Sequence, residues 1–170
     1  MIFNRFTGGA RLCVEAAVEE ARALGHDSIG EEALLLGVLA ADDDIGAEAL
    51  GSLGVSLEAA REGAKELFSD ALASVGISFD AVRDRAGEGF DMRNSSPGRL
   101  AFSPRAKRAL EQALREALRL RDDRITGEHI LRGALRDEHG HAVRLLAKLG
   151  VSVESIESRL DQLRQQSPAS

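Results

Sequence analysis

The chain has 170 residues, 44% of them hydrophobic, which is enough for one domain with a buried core. Its formal net charge of −6 argues against sequence-independent binding of nucleic acid, which requires clustered Lys and Arg side chains. No apolar run approaches the ~20 residues that span a bilayer, and the N-terminus lacks the apolar segment of a signal peptide. We therefore expect a cytoplasmic protein with no membrane partner.

The first part of the chain predicts four helices. Apolar residues spaced three and four apart predict a helix over about 7–25, with Thr7 as its cap. A short amphipathic helix follows at about 30–41, and another at 45–53. Ser56 can cap a fourth helix. These four helices form the first structural unit.

Three polar segments interrupt the helical pattern. The acidic run 42–44 is expected to be a solvated loop. From about 74 to 101 the pattern loosens into glycine-rich loop material, which predicts a linker with one short helix at 78–86. The tail from residue 165 onward should fray.

After the linker the sequence repeats itself at an offset of 96 residues. Residues 6–67 align without a gap to residues 102–163, and 20 of the 62 positions are identical. Ser103, followed by Pro104, and Thr126 are the expected helix caps in the second copy. The chain is therefore a tandem repeat of a four-helix unit.

The duplication predicts the fold. A four-helix unit of this size buries little apolar surface alone, so the two copies should pack together around a pseudo-twofold axis. We predict an all-α, single-domain protein over residues 1–170. Repeat one covers about 3–73, the linker about 74–101, and repeat two about 102–166.

No motif of a familiar catalytic chemistry occurs. The chain has no phosphate-binding loop, no nucleophile elbow and no zinc-protease helix. Cys13 lies on an apolar helical stripe and has no second cysteine to pair with, so we expect a buried, inert thiol. Residues 137–141 include two histidines and two acids, but without a second spaced ligand pair they indicate a solvated turn. We expect a protein that is not an enzyme and has no metal or cofactor.

Glu32 and Glu128 occupy equivalent positions near the start of equivalent helices. One interpretation is electrostatic, because a carboxylate in the first helical turn gains about 0.3–1 kcal/mol from the helix dipole. The other is that the two carboxylates bind guanidinium groups of a partner, with bidentate geometry available. The residues alone leave both interpretations open and favour the first.

Four segments of the chain closely resemble the double-repeat N-terminal domain of the Clp/Hsp100 unfoldases, especially the ClpC type. They are residues 3–7, 29–37, 102–107 and 127–133. Since no ATPase module accompanies them, the resemblance indicates a stand-alone member or a fragment of a Clp ATPase. It implies a bacterial, non-catalytic module of protein quality control that receives substrate proteins and adaptors.

The resemblance also implies a ligand for the two acids. In ClpC-type domains, acids that match Glu32 and Glu128 recognise phosphoarginine, a degradation mark. Glu31 and Ala33 stand where the family usually has threonine and histidine, whereas His129 is kept after Glu128. We therefore expect Glu128 to be the better site.

Related domains from actinobacteria bind cyclic peptide antibiotics on a hydrophobic surface, with aromatic residues that match Phe3 and Phe102. Phe6 would extend this peptide-binding surface, but its equivalence to Phe102 favours a place in the core between the repeats. Two other functions stay open. The chain resembles the plastid ClpT proteins as well, which implies an accessory subunit that docks on the ClpP protease core, and it could act as a decoy that sequesters cyclic peptides.

Overall fold

The computed structural model describes residues 2–76 and 100–166, apart from the side chains of residues 2 and 3. Over these residues it contains eight α-helices, a short N-terminal 3₁₀ helix and two short strands. In chain order the elements are the 3₁₀ helix (Ile2–Arg5), α1 (Gly8–Ala23), β1 (Ser28–Ile29), α2 (Glu31–Ala41), α3 (Ile45–Ser52), α4 (Leu57–Ser74), β2 (Ala101–Phe102), α5 (Pro104–Arg119), α6 (Gly127–Ala134), α7 (His141–Lys148) and α8 (Val153–Gln166). The predicted all-α fold of two four-helix repeats is confirmed. The predicted helix at 78–86 lies outside the described residues.

Hydroxyl side chains begin the first and fourth helices of both repeats, as predicted. Thr7, Ser56, Ser103 and Ser152 each accept a hydrogen bond from the backbone N–H three residues later, at 3.0–3.1 Å. Pro104 occupies the first position of α5, where its missing N–H leaves no bond unmade. Local sequence thus determines where these helices start.

The two repeats exchange extended segments reciprocally. β1 and β2 pair in parallel with Ile29 opposite Phe102, and a parallel bridge joins Phe6 to Ile125. Ile125 lies 96 residues after Ile29, and Phe102 lies 96 residues after Phe6. The two pairings are therefore copies of each other, related by the pseudo-twofold axis. Each repeat therefore anchors the segment before its first helix on the other repeat.

The second helix of each repeat, α2 or α6, forms the centre of the core. Every residue of α6 is buried, and α2 is buried from Glu31 to Val38. A side chain at Gly37 would overlap the backbone carbonyl oxygen of Cys13, and one at Gly133 would overlap that of Ala109. The first and second helices of each repeat therefore cross at backbone contact, which only glycine permits.

Cys13 lies inside this crossing and is buried, as predicted. Burial raises the pKa of its thiol to about 12, and the negative charges of Asp44 and Asp43 act in the same direction. The thiolate that a nucleophile or metal ligand needs is therefore absent at neutral pH. Over the described residues, no helix combines the length and apolar character needed to cross a membrane.

Candidate functional site

Helices from opposite repeats begin side by side in two places, which we call the first and second junctions. At the first junction α2 and α7 start together, and its residues are His26, Glu31, Glu32 and His141. At the second junction α3 and α6 start together, and its residues are Asp44, Asp122, Glu128, Arg132 and Arg164. The two predicted acids, Glu32 and Glu128, therefore lie at separate junctions.

Glu31 joins the two helices of the first junction. Its Oε1 accepts a hydrogen bond from the backbone N–H of His141, the first residue of α7, at 2.6 Å. The N-cap of α7 is Gly140, which has no side chain to cap the helix, and a Cβ there would lie 2.8 Å from this carboxylate oxygen. Burial raises the pKa of Glu31, and the His141 N–H opposes that effect. Glu31 thus caps a helix of the other repeat.

Asp44 plays the mirrored part at the second junction. Its Oδ1 accepts from the Gly46 N–H and so caps α3, while its Oδ2 accepts from the Glu128 N–H in α6, both at 2.9 Å. A Cβ at Gly127 would lie 2.9 Å from the same carboxylate. The predicted solvated loop at 42–44 is therefore wrong for Asp44, which is partly buried against two helix N-termini. Burial raises the pKa of Asp44, and the N–H groups of Glu128 and Gly46 oppose that effect.

Glu128 has both carboxylate oxygens occupied by arginines of its own chain. Arg132 Nε donates to Oε2 at 2.9 Å, and Arg164 Nη1 donates to Oε1 at 2.7 Å. Arg132 is only 1% exposed and also reaches Asp161 at 2.9 Å. Two guanidinium groups of the same chain therefore hold Glu128, whereas the sequence predicted guanidinium groups of a partner, and the preference for this site stays a prediction.

His129 orders the edge of the second junction. Its Nδ1 accepts the backbone N–H of Thr126 at 2.8 Å, so its Nε2 carries the proton and donates to Asp122 at 2.8 Å. Burial raises the pKa of Asp122, but hydrogen bonds from Arg164 and His129 outweigh it and hold the pKa below its usual range. Every polar side chain of this junction has a partner.

Glu32 differs from Glu128 in that its ion-pair partners among the described residues are imidazoles. His26 Nδ1 lies 3.4 Å from Oε1, and His141 Nδ1 lies 3.5 Å from Oε2. Among the described residues, Oε2 has no hydrogen-bond partner, although Glu32 is 6% exposed. Burial raises the pKa of Glu32, but His141, His26 and the backbone N–H of Glu32 outweigh it and lower the pKa to about 2. The first junction therefore holds a buried carboxylate that faces two imidazoles and whose Oε2 accepts no hydrogen bond of normal geometry from the described residues.

Aligning the repeats explains the difference between the two junctions. The positions of Arg132 and Arg164 in repeat two are taken by Leu36 and Phe68 in repeat one. His26, whose ring centroid lies 4.8 Å from that of Phe68, occupies the place of Asp122. The sequence analysis used the identical positions of the alignment and so missed Arg132, Arg164 and His26. These residues stand at positions where the two repeats differ, and those differences could have indicated them.

The predicted aromatic surface is not assembled over the described residues. Phe6 is fully buried, which agrees with the place in the core that the sequence favoured and leaves no exposed surface of this side chain for the alternative role in peptide contact. Phe102 is half-buried in the other pairing. The side chain of Phe3 lies outside the described residues.

The chain matches the model of the Clp repeat (R) N-terminal domain family over residues 5–78, 65–149 and 101–170. It is 36% identical over 162 residues to a ClpA homologue, an ATP-dependent Clp protease ATP-binding subunit, of Porphyra purpurea, covering 95% of this chain and 17% of that protein. It is 34% identical over 159 residues to the chloroplastic chaperone protein ClpC1 of Oryza sativa, covering 94% of this chain and 15% of that protein. The chain thus spans under a fifth of the length of these relatives, and their sources do not test the predicted bacterial origin.

Solved structures share the fold. The N-terminal domain of the chaperone ClpD from Arabidopsis thaliana superimposes with a TM-score of 0.73, at 27% identity over 98% of both chains. The N-terminal domain of Hsp104 from Candida albicans gives a TM-score of 0.64 at 16% identity over 95% of this chain and 93% of that one, and shows the fold alone.

Proposed function

Because the chain belongs to the Clp repeat N-terminal domain family, we propose that it is a non-catalytic module that binds substrate proteins or adaptors of the Clp protein quality-control system. The finer proposal is that it recognises guanidinium groups, including those of phosphoarginine-marked chains, at Glu32. The observation that carries this proposal is the buried carboxylate of Glu32, whose Oε2 accepts no hydrogen bond from the described residues.

A guanidinium group fits what Glu32 lacks. Its planar fork donates two parallel hydrogen bonds to one carboxylate, and such charge-assisted bonds are stronger than neutral ones. His141 covers Oε2, but 55% of its side chain is exposed, so a rotation toward solvent would open the carboxylate. The first junction thus offers a site that a ligand can reach by moving one side chain.

The phosphoryl group of phosphoarginine would meet the N-terminus of α7, where free backbone N–H groups favour anions. Glu31 already occupies the His141 N–H at this terminus and adds a negative charge. We therefore expect Glu31→Thr, which restores the residue usual in the family, to tighten phosphoarginine binding at least tenfold. Binding of unphosphorylated arginine should change much less, because arginine lacks the group that Glu31 repels.

Glu128 would be the weaker of the two sites. A ligand would have to replace the side chain of Arg164, which is 29% exposed, since Arg132 is enclosed. That exchange substitutes one guanidinium for another and gains little free energy.

Calorimetric titration of the full chain with phosphoarginine, in the presence of a chelator, tests the proposal. We expect Glu32→Ala to weaken binding at least tenfold and Glu128→Ala to weaken it less. Glu58→Ala is the matched control, because Glu58 is an exposed glutamate in the first turn of α4. Unchanged affinity in the double variant Glu32→Ala with Glu128→Ala would refute the assignment of both acids.

Docking on the ClpP core and sequestration of cyclic peptides stay predictions. For the sequestration of cyclic peptides, Phe102 is the one described aromatic side chain of the predicted surface that is not fully buried, because Phe6 lies in the core.

A further inference from the structure

The first junction buries two adjacent carboxylates without a strong cationic partner. Among the described residues, no arginine or lysine forms an ion pair with Glu31 or Glu32, and both glutamates are buried. At the second junction the equivalent acid, Glu128, is paired with two arginines. Buried charges are normally paired or bound to a metal ion, and the partners of Glu32 at the first junction are the imidazoles of His26 and His141.

The distance between His141 and Glu32 is compatible with two ligands of one metal ion and is long for a hydrogen bond. The two imidazole nitrogens lie 3.4 and 3.5 Å from its oxygens, beyond the usual range of an N–H···O bond. Two ligands of one tetrahedral ion, each ~2.0–2.1 Å from it, are about 3.3 Å apart. Glu31, Glu32 and His141 present ligand atoms that all lie within 4.8 Å of one another.

A second observation is independent of this clustering. Glu32 Oε2 is buried without a hydrogen-bond partner among the described residues, and it is the oxygen that faces His141. His26 Nε2 is also buried without one. Buried polar atoms are rarely left unsatisfied, and a bound ion is one of the ordinary explanations for such an atom.

We propose that the first junction binds one divalent transition-metal ion of the Zn²⁺ class through Glu31, Glu32 and His141. His26, beside the other oxygen of Glu32, is the candidate fourth ligand or the group that orients this carboxylate. The imidazole ligand favours Zn²⁺ over Mg²⁺ or Ca²⁺, which prefer oxygen alone. Since the glutamates belong to repeat one and His141 to repeat two, the ion would fasten the repeats together.

The second junction provides a contrast within the molecule. Asp122, Glu128 and His129 cluster equally closely. However, Glu128 holds two arginines, and both ring nitrogens of His129 are engaged. Arginines there supply the charge that a metal ion would supply at the first junction.

Titration calorimetry with ZnCl₂ on chelator-treated full chain, without phosphoarginine, tests the inference. We expect one Zn²⁺ per chain, at least tenfold weaker binding in His141→Ala and in Glu32→Gln, and no competition from Mg²⁺. His139→Ala is the matched control, because His139 is an exposed histidine two residues away and should not affect binding. Zn²⁺ should also raise the Tm of the wild type but not of His141→Ala.

The inference is overturned if the wild type binds no Zn²⁺ at about 100 μM, or if His141→Ala binds as tightly as the wild type. It is also overturned if His139→Ala removes the site, which would indicate adventitious binding by surface histidines. His141 is more than half exposed, so its alanine variant should fold. The absorption spectrum of the Co²⁺-loaded wild type is an independent readout of binding. Phosphoarginine is absent from this titration, so the two proposals fail separately.

Discussion

Glu128→Ala should destabilise the protein strongly, because it leaves a buried cation without its main partner. Arg132 is 1% exposed, and its remaining contact is to Asp161, whose side chain is 62% exposed. Arg164 is better placed, since it keeps its ion pair with Asp122 at 3.1 Å. Breaking a buried ion pair by removing one member costs about 3–5 kcal/mol. With one stranded arginine, we expect a loss near the lower end, about 3 kcal/mol in the free energy of unfolding.

Repeat one supplies the compensating change. Leucine at position 36 fills the place that Arg132 takes in repeat two. The double variant Glu128→Ala with Arg132→Leu leaves no unpaired buried charge, so it should recover about 2 kcal/mol of the loss. Glu32→Ala is the comparison in the other repeat, where no arginine is stranded, and it should cost less than about 1.5 kcal/mol.

Urea unfolding followed by circular dichroism measures these free energies, with the m-value checking that unfolding stays two-state. A loss below about 1 kcal/mol in Glu128→Ala would refute the reasoning. So would a double variant no more stable than the single one, because the cost would then not arise from Arg132.

Three further predictions follow from the core and the ion pairs. Gly133→Ala should lower the free energy of unfolding by at least about 1–3 kcal/mol, because the added methyl group overpacks the helix crossing. Gly51→Ala is the control: Gly51 lies in open space in α3, so this change should be neutral or add up to about 1 kcal/mol. Urea unfolding measures both. Burial raises the pKa of Glu116, but hydrogen bonds from Arg119 and Arg136 outweigh it and lower the pKa below its usual value. Such a depressed pKa adds stability at neutral pH that is lost as the pH falls below about 4.3, so Glu116→Gln should be less stable than the wild type at pH 7, and the difference should shrink as the pH falls. Cys13 should react with a thiol reagent only after denaturation, and labelling of the native protein within minutes would contradict its burial.

At each junction a carboxylate of repeat one accepts a hydrogen bond from the N-terminus of a helix of repeat two, and this arrangement affects ligand binding. Glu31 and Asp44 each fill a helix N-terminus of the opposite repeat, the position that an anionic ligand would otherwise take. A phosphoryl group that binds at either terminus, as proposed for phosphoarginine at α7, would have to displace the carboxylate there. This is the physical reason to expect that substitutions at Glu31 affect phosphoarginine more than arginine.

The amino-acid sequence alone determined the helices, the hydroxyl caps of the first and fourth helices of each repeat, and the duplication. Each cap bonds to a residue only three positions away, and the apolar stripes have the helical period, so local spacing was sufficient. The gap-free offset of 96 residues then predicted a pseudo-twofold domain, and the buried place of Cys13 followed from its stripe.

Tertiary structure alone decided how the acids are used. Asp44 bonds to a backbone N–H 84 positions away and Glu31 to one 110 positions away, distances at which no periodicity carries information. The sequence also ranked Glu128 above Glu32 because of its neighbours in the chain. Its real neighbours are Arg164, 36 positions away, and Arg132, and they leave Glu32 as the carboxylate with an unused oxygen. Ligand capacity depends on which partners the fold brings to a buried group, and that is set by packing between the repeats.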